Sequence, residues 1–168
     1  MKSLSLLLLS LTLATLTTAA PPPRPTMTHP TQDFVQLRVT VEDLRVTPDG
    51  LFVLVMLAYD NKTATPLEIH LQQWANATTH LGDDTHHRYT LIQASGVSDT
   101  ADARDWLTLD VLGHATASFL FRVENPSDKK ATRYTLTSEE RMITDDPTKA
   151  TTFTISLRNI TATDQRQE

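Results

Sequence analysis

The sequence predicts an all-β fold, an antiparallel β-sandwich of about eight strands. Apolar residues recur at every second position in most segments, and turn-forming residues separate these segments at short intervals. No stretch of useful length has a helical period, and the abundant threonine is typical of half-exposed strands. The chain has 168 residues, a length that suits a single domain.

The predicted strands begin at Phe34. They cover Phe34–Val41, Leu51–Tyr59, Leu67–Leu71, Tyr89–Gln93, Trp106–Leu112, Ala115–Val123, Tyr134–Leu136 and Phe153–Leu157. In the first strand, Val35 and Leu37 fall on the same alternating face, which we expect to be buried. The second strand is apolar at both parities, which predicts a central strand covered on both faces. The weak strand near Tyr134 is expected at a sheet edge.

The first part of the chain has the layout of an export signal. One positive residue, Lys2, precedes an apolar stretch from Leu4 to Leu16 and then small residues. We expect residues 1–19 to be a cleaved signal peptide and residues 20–32 to be a proline-rich spacer. The sandwich domain is expected at 33–160, followed by a frayed tail at 161–168. The predicted location is the periplasm, the cell surface or the extracellular space.

Net charge and cysteine content limit the function classes. The formal net charge is −5, which disfavours binding to nucleic acid or to anionic membranes. The chain has no cysteine, so the apolar core must stabilise the exported domain without disulfides. No transmembrane segment is expected after signal cleavage, because the apolar N-terminal stretch is shorter than the roughly 20 residues that span a bilayer.

Three stretches resemble a group of bacterial secreted immunoglobulin-like domains, mostly of unknown function. They are Asp60–Leu67, Leu81–Leu91 and Gly113–Phe121. The resemblance implies an immunoglobulin-like sandwich and implies no reaction. Where the group has a glycine in the second stretch, this chain has His86. A glycine there would serve a positive φ, and a histidine in its place is unfavourable unless the turn has a different geometry.

The histidines of the second stretch predict a metal site. The predicted ligands are His80, Asp83, Asp84, His86 and His87, with His70 approaching from a neighbouring strand. Imidazole and carboxylate are the ligands that copper and zinc accept. His80 and His86 would meet if a hairpin closed near Asp83. Calcium is less favoured, because the loop aspartates lack any EF-hand spacing.

Catalytic motifs are sparse. The chain has no Gly-x-Ser-x-Gly elbow and no glycine-rich phosphate loop, and the acidic pairs Glu139-Glu140 and Asp145-Asp146 are expected in solvated loops. The sequence therefore favours a non-enzymatic accessory or interaction module that binds another envelope or surface protein. The expected contact regions are the strand near Tyr134 and the loop Ala94–Arg104.

Two alternatives stay open at this point. The first is a copper or zinc metalloprotein that uses the histidine segment. If the chain is an enzyme, it would be a copper-dependent oxidoreductase, comparable with superoxide dismutases by analogy only. The second alternative is a carbohydrate-binding module that presents Trp74 or Trp106.

Overall fold

The computed structural model describes residues 29–71, 78–97, 106–127, 129–144 and 148–163, which contain ten strands in two antiparallel sheets. The strands are β1 (Thr31–Asp33), β2 (Leu37–Val46), β3 (Phe52–Asn61), β4 (Leu67–His70), β5 (His80–Asp83), β6 (Tyr89–Val97), β7 (Trp106–Leu109), β8 (His114–Val123), β9 (Tyr134–Ile143) and β10 (Thr151–Ile160). The predicted all-β antiparallel sandwich is confirmed, with ten strands where about eight were predicted. Within these ranges, no helix has the length and apolarity needed to cross a membrane.

Two of the ten strands were absent from the sequence prediction. β1 has three residues and β5 has four, so neither is long enough to display a clear alternation. β1 starts at Thr31, inside the segment predicted as spacer. At the other end, the backbone N–H of Thr163 donates to the Leu44 carbonyl at 2.7 Å, so the start of the predicted tail packs on β2. Residues 1–28, including the predicted signal peptide, and 164–168 lie outside the described residues.

The first sheet has the order β1-β2-β3-β8-β6, and the second has the order β10-β9-β4-β7. Strand β5 also pairs with β9, through His80–Asp83 against residues 134–137, while β4 pairs with residues 141–143. The prediction of an edge strand near Tyr134 is therefore wrong, because β9 has partners on both sides. The error arose because β9 alternates threonine, serine and glutamate with few apolar residues, and this weakens its signal.

The core lies between the two sheets. It is built by alternating side chains that point inward from each strand, and a fully buried aliphatic or aromatic side chain contributes about 1.5–3 kcal/mol. Among the largest fully buried residues are Tyr59, Phe119, Phe121, Leu57, Ile69, Leu107, Leu109 and Leu136. β3 is central in its sheet, as predicted, but its second face is only half-buried at Phe52, Leu54 and Met56.

Two predicted strand ends are loops instead. Val35 lies in the β1–β2 connection and is 95% exposed, so the expectation that Val35 is buried on the same face as Leu37 is wrong. β7 stops at Leu109, and Val111 and Leu112 form the turn before β8. Gly113 follows them, and a Cβ at this position would lie 2.9 Å from the Asp110 backbone. Only glycine fits so close an approach, and the chain must therefore turn here.

Candidate functional site

The histidine-rich segment lies at one end of the sandwich. β5 ends with Asp83 opposite Tyr134 in the second sheet, whereas β6 begins with Tyr89 opposite Val123 in the first sheet. Residues 84–88 therefore cross from one sheet to the other. The hairpin expected to bring His80 and His86 together is absent, because the strands on either side of the segment belong to different sheets.

Asp83 organises this crossing. Its side chain has no exposed surface. Oδ1 accepts hydrogen bonds from the Thr85 N–H at 2.8 Å, the Thr85 hydroxyl at 2.9 Å and the His87 N–H at 3.1 Å. Oδ2 lies 2.7 Å from His87 Nδ1 and accepts from the Tyr89 hydroxyl at 2.6 Å. One carboxylate thus fixes both the backbone and the side chains of residues 85–89.

These hydrogen bonds decide the charge of Asp83. Burial opposes ionisation of the carboxyl, but the hydrogen bonds from Tyr89, His87 and the Thr85 backbone outweigh it and lower the pKa to about 2. In return, burial and the bond to Asp83 raise the pKa of Tyr89. Asp83 is therefore an anion at neutral pH, although no part of its side chain is exposed.

His87 is held at both ring nitrogens. Its Nδ1 faces the Asp83 carboxylate, and its Nε2 lies 2.8 Å from Ser127 Oγ in the β8–β9 connection. A carboxylate can only accept, so the neutral ring carries its proton on Nδ1 and leaves Nε2 as an acceptor for the Ser127 hydroxyl. The ring is 11% exposed. The arrangement aligns a carboxylate, an imidazole and a hydroxyl.

Two other residues of the segment, Asp84 and His86, shape its backbone. Asp84 accepts from the backbone N–H of Thr132 at 3.0 Å and from its hydroxyl at 2.5 Å, which ties the crossing to the start of β9. These bonds lower the Asp84 pKa. His86 is exposed and has a φ of 66°, the left-handed conformation that a glycine adopts without strain. The turn therefore keeps a backbone that favours glycine, with a histidine in that position.

A cleft of about 840 Å³ opens beside this crossing, which we call the end cleft. His87 and Ser127 line it together with the lysines Lys129 and Lys130. Apolar lining comes from Val46, Val53, Val123, Pro126, Ala131 and Ala162. The cleft therefore has a mixed lining, in which these apolar residues lie beside hydroxyl-bearing residues, Asp49 and the two lysines of the β8–β9 connection.

The predicted metal ligands are only partly brought together. Asp83 and His87 are in contact, but Asp84 is bonded to Thr132. His70 lies on β4 with its Nε2 2.8 Å from Glu68 Oε1. His80 is exposed on β5, and His86 is exposed at the turn. In the described part of the chain, no group of three or more histidine, aspartate or glutamate side chains could hold a metal ion. Copper or zinc binding stays a prediction.

The opposite end of the sandwich is organised by Asn61. Its Nδ2 donates to the carbonyls of Thr65 at 2.7 Å and Asp110 at 2.8 Å, and its Oδ1 accepts from Thr63. The β1–β2 connection joins the same segment, since the Lys62 N–H donates to the Gln36 carbonyl at 2.9 Å. The three connections at this end, β1–β2, β3–β4 and β7–β8, therefore lie side by side.

These connections expose three apolar side chains, which we call the apolar tip. Val35 is 95% exposed, Leu112 is 72% exposed and Val111 is 48% exposed. Leu112 has a φ of 53°, a conformation that is uncommon for a residue with a branched side chain. Sequence patterning assigned these residues to strands and so missed their exposure.

Glu140 was also misplaced by the sequence. The pair Glu139-Glu140 lies in β9, and Glu140 is buried between the sheets. Oε1 accepts from the Tyr59 hydroxyl at 2.7 Å and from Ser138 at 3.3 Å, whereas Oε2 is buried and has no partner. Burial raises the Glu140 pKa to about 7, against the opposing effect of the two hydroxyls.

Several residues for which the sequence predicted a role are not among those that the structure describes. Trp74, residues 98–105 of the predicted contact loop and the pair Asp145-Asp146 lie outside the described residues. For Trp106 only the backbone is described. The carbohydrate-binding hypothesis and the proposed role of the loop therefore stay predictions.

Comparisons with known proteins give structural likenesses at low identity. No family model and no curated protein matches the chain. The GAE domain of GGA2p from Saccharomyces cerevisiae is 8% identical, with a TM-score of 0.44, covering 79% of this chain and 100% of that one. The apo PmoF2 PCuAC domain is 13% identical, with a TM-score of 0.43 and coverages of 81% and 97%. A PapD-like domain of human CEP192 is 12% identical, with a TM-score of 0.40 and coverages of 87% and 98%. At these values, the activities of those proteins are not transferred to this chain.

Proposed function

We propose that this protein is an exported interaction module that docks on another envelope or surface protein through the apolar tip. The observation that carries the proposal is the exposure of Val35, Val111 and Leu112 on adjoining connections. Exposed apolar residues are ordinary when they are scattered, but a group at one end is typical of a contact site. Removing such a group from water contributes about 25 cal/mol per Å² of apolar area.

The backbone of Leu112 supports this proposal. A non-glycine residue in the left-handed region costs of order 1 kcal/mol or more and persists only when its surroundings enforce it. Here the Leu112 N–H donates to the Thr63 carbonyl at 3.3 Å, and the Gly113 N–H donates to Asp110 at 2.8 Å. The turn therefore holds the leucine side chain out in water at an energetic cost, and a role in contact accounts for that cost.

The charges around the tip favour a protein as the partner over a bilayer. Asp33 pairs with Arg38 at 3.0 Å and with Lys62 at 3.3 Å, and His114 pairs with Asp60 at 2.8 Å. These neighbours carry both signs, and the whole chain has a net charge of −5, which would repel an anionic membrane. A pocket with an apolar centre and a polar rim fits this surface best. Export rests on the signal-like layout of residues 1–19.

Site-specific photo-crosslinking in the source cells tests the proposal. A photo-reactive side chain at position 112 should give one discrete adduct with another protein, and Val35→Ser should reduce its yield. Position 92 is the matched control, because Ile92 is also exposed, at 48%, but lies on β6 away from the tip. Equal adducts from both positions, or no adduct from position 112, would remove the basis for docking through the tip.

A further inference from the structure

We propose that Ser127 is a nucleophile for acyl transfer, that His87 is its general base, and that the end cleft admits carboxylic esters. This activity goes beyond docking and does not depend on it, because the apolar tip and the end cleft lie at opposite ends of the sandwich. Asp83 acts as a positioning residue behind His87. No sequence motif indicates this arrangement, because Ser127 is 40 residues from His87 along the chain.

The geometry of the three side chains carries the inference. Asp83 Oδ2 lies 2.7 Å from His87 Nδ1, and His87 Nε2 lies 2.8 Å from Ser127 Oγ. Nucleophile–base and base–orienter contacts of this length are the geometric signature of a serine-histidine-aspartate triad, which is recognised by geometry and not by sequence order.

The direction of each hydrogen bond suits proton removal from Ser127. The Asp83 carboxylate accepts a hydrogen bond from the Nδ1–H group of His87. This bond fixes the tautomer of the ring in which the lone pair of Nε2 points toward the Ser127 hydroxyl. Thr85 Oγ1 also lies 2.7 Å from His87 Nδ1, which further restrains the ring. The imidazole is 11% exposed, so bulk water has little access to the base.

Ser127 is accessible to a ligand. It is exposed at the mouth of the end cleft, whose volume is about 840 Å³. The apolar lining of the cleft, which includes Val46, Val123 and Ala131, can accept a short acyl chain. An ester with an apolar acyl group therefore fits better than a highly charged substrate.

Cations that could stabilise a developing oxyanion are close to Ser127. Lys129 and Lys130 line the same cleft as Ser127, as does Asp49, whereas the backbone N–H of Lys129 donates to Ser127 Oγ itself at 3.3 Å. Donors and cations that are in place before the reaction stabilise the negative charge of a tetrahedral intermediate. This charge distribution favours acyl transfer over reactions that develop positive charge.

The overall reaction consumes one ester and one water molecule and releases one alcohol and one carboxylic acid. Ser127 Oγ forms a bond to the acyl carbon while its proton moves to His87 Nε2. The tetrahedral intermediate collapses, the bond to the alcohol oxygen breaks, and the alcohol leaves with the proton from His87. Water then attacks the acyl-serine and gives its proton to His87. Release of the carboxylic acid returns the proton to Ser127.

A fluorophosphonate probe and p-nitrophenyl butyrate test the proposal on the purified protein. We expect one phosphonyl group at Ser127, located by peptide mass spectrometry, and p-nitrophenol release above the rate of the buffer. Ser127→Ala should remove the label and lower the release rate by about 100-fold, the lower range for general-base assistance. Ser127 is exposed, so the variant should keep the melting temperature of the parent.

The controls separate this site from general serine reactivity. Ser156 is an exposed serine on β10, and Ser156→Ala should keep both the label and the release rate. His87→Gln should abolish labelling of Ser127. Absence of label at Ser127 while a known serine hydrolase is labelled in the same tube would overturn the proposal, as would unchanged ester cleavage by Ser127→Ala. The docking proposal would be unaffected by either result.

Discussion

Asp83 at the end of the sandwich and Glu140 at its centre are both buried carboxyl groups, yet their acidities move in opposite directions. Asp83 accepts five hydrogen bonds and has a pKa of about 2. Glu140 accepts from two hydroxyls, has one unpartnered oxygen and has a pKa of about 7. Burial penalises the anion of Glu140 more strongly, because Glu140 lies between the sheets and Asp83 lies at the end of the sandwich. The deeper burial of Glu140 and the larger number of donors around Asp83 together separate the two pKa values.

The same difference separates the two regions in function. The anionic Asp83 fixes the tautomer of His87 and thereby directs a base at Ser127. Glu140 links the two sheets through the Tyr59 hydroxyl. The ionised Asp83 can organise reactive groups, whereas Glu140, with a pKa of about 7, is a neutral part of the core only at pH values below 7.

The largest effect is expected for Asp83→Asn. The amide keeps the size of the side chain but places an N–H group where donors from His87 and Tyr89 already point. Leaving buried donors without an acceptor should lower the free energy of unfolding by about 3 kcal/mol at pH 7. Urea denaturation measures the change.

Asp84→Asn is the matched control for that variant. Asp84 is exposed and neighbours Asp83, and its exchange should change the free energy of unfolding much less than Asp83→Asn does. Acid titration adds a second readout. Asp83 contributes stability above its unfolded pKa of 3.8, and the parent should lose up to about 2 kcal/mol as pH falls toward 2. Asp83→Asn should lack this loss, and equal acid sensitivity in both proteins would contradict the assignment.

Glu140→Gln should change stability in the opposite direction. The folded pKa of about 7 lies above the ordinary value of 4.5, so the parent loses stability as pH rises from 4.5 through 7. The amide has no charge to bury, and at pH 8 the variant should be more stable than the parent by roughly 2 kcal/mol. At pH 4 the two proteins should be nearly equal.

Denaturation curves at pH 4, 6 and 8 measure this prediction. Glu139→Gln is the control, because Glu139 is exposed on the same strand. A Glu140→Gln variant that is less stable than the parent at pH 8 would mean that the carboxylate is better solvated in the core than its contacts indicate.

The smallest effect is expected for Tyr89→Phe, which removes one of the five hydrogen bonds to Asp83. The remaining four donors should keep the carboxylate ionised, so the cost at pH 7 should be about 1 kcal/mol. The acid midpoint should move upward, because one bond that favours the anion is gone. Tyr59→Phe is the corresponding change at Glu140 and should move the neutral-pH midpoint upward as well. A Tyr89→Phe variant with an unchanged acid midpoint would show that the tyrosine does not influence the pKa of Asp83.

Much of the fold could be predicted because strand alternation is a local property. The pattern from Ala115 to Val123 predicted β8, and Pro48-Asp49-Gly50 predicted the turn in which Gly50 has a φ of 71°. The pattern was misleading at Val35 and Val111, where alternation continues into exposed connections. It was weakest at β9, because Ser138 and Glu140 occupy buried positions that usually hold apolar residues.

Part of the candidate site could be predicted as well. The sequence analysis selected the segment from His80 to His87 for its histidines, and it noted a missing glycine at His86, where the structure has a φ of 66°. The sequence predicted metal ligands in this segment. In the structure, His87 forms hydrogen bonds with Asp83 through one ring nitrogen and with Ser127 through the other. Ser127 carries no signal in the sequence, because a serine after Asn125-Pro126 is also typical of an ordinary turn.

By itself, the sequence determined that this protein is an all-β sandwich and which faces of most strands are buried, because both follow from residues a few positions apart. The tertiary structure decided which distant side chains meet. His87 reaches Ser127 across 40 positions, and Tyr59 reaches Glu140 across 81. Alternation shows the face on which a side chain lies but not which strand or connection faces it, so the charge of a buried acid and the partner of an imidazole depend on the packing of the two sheets.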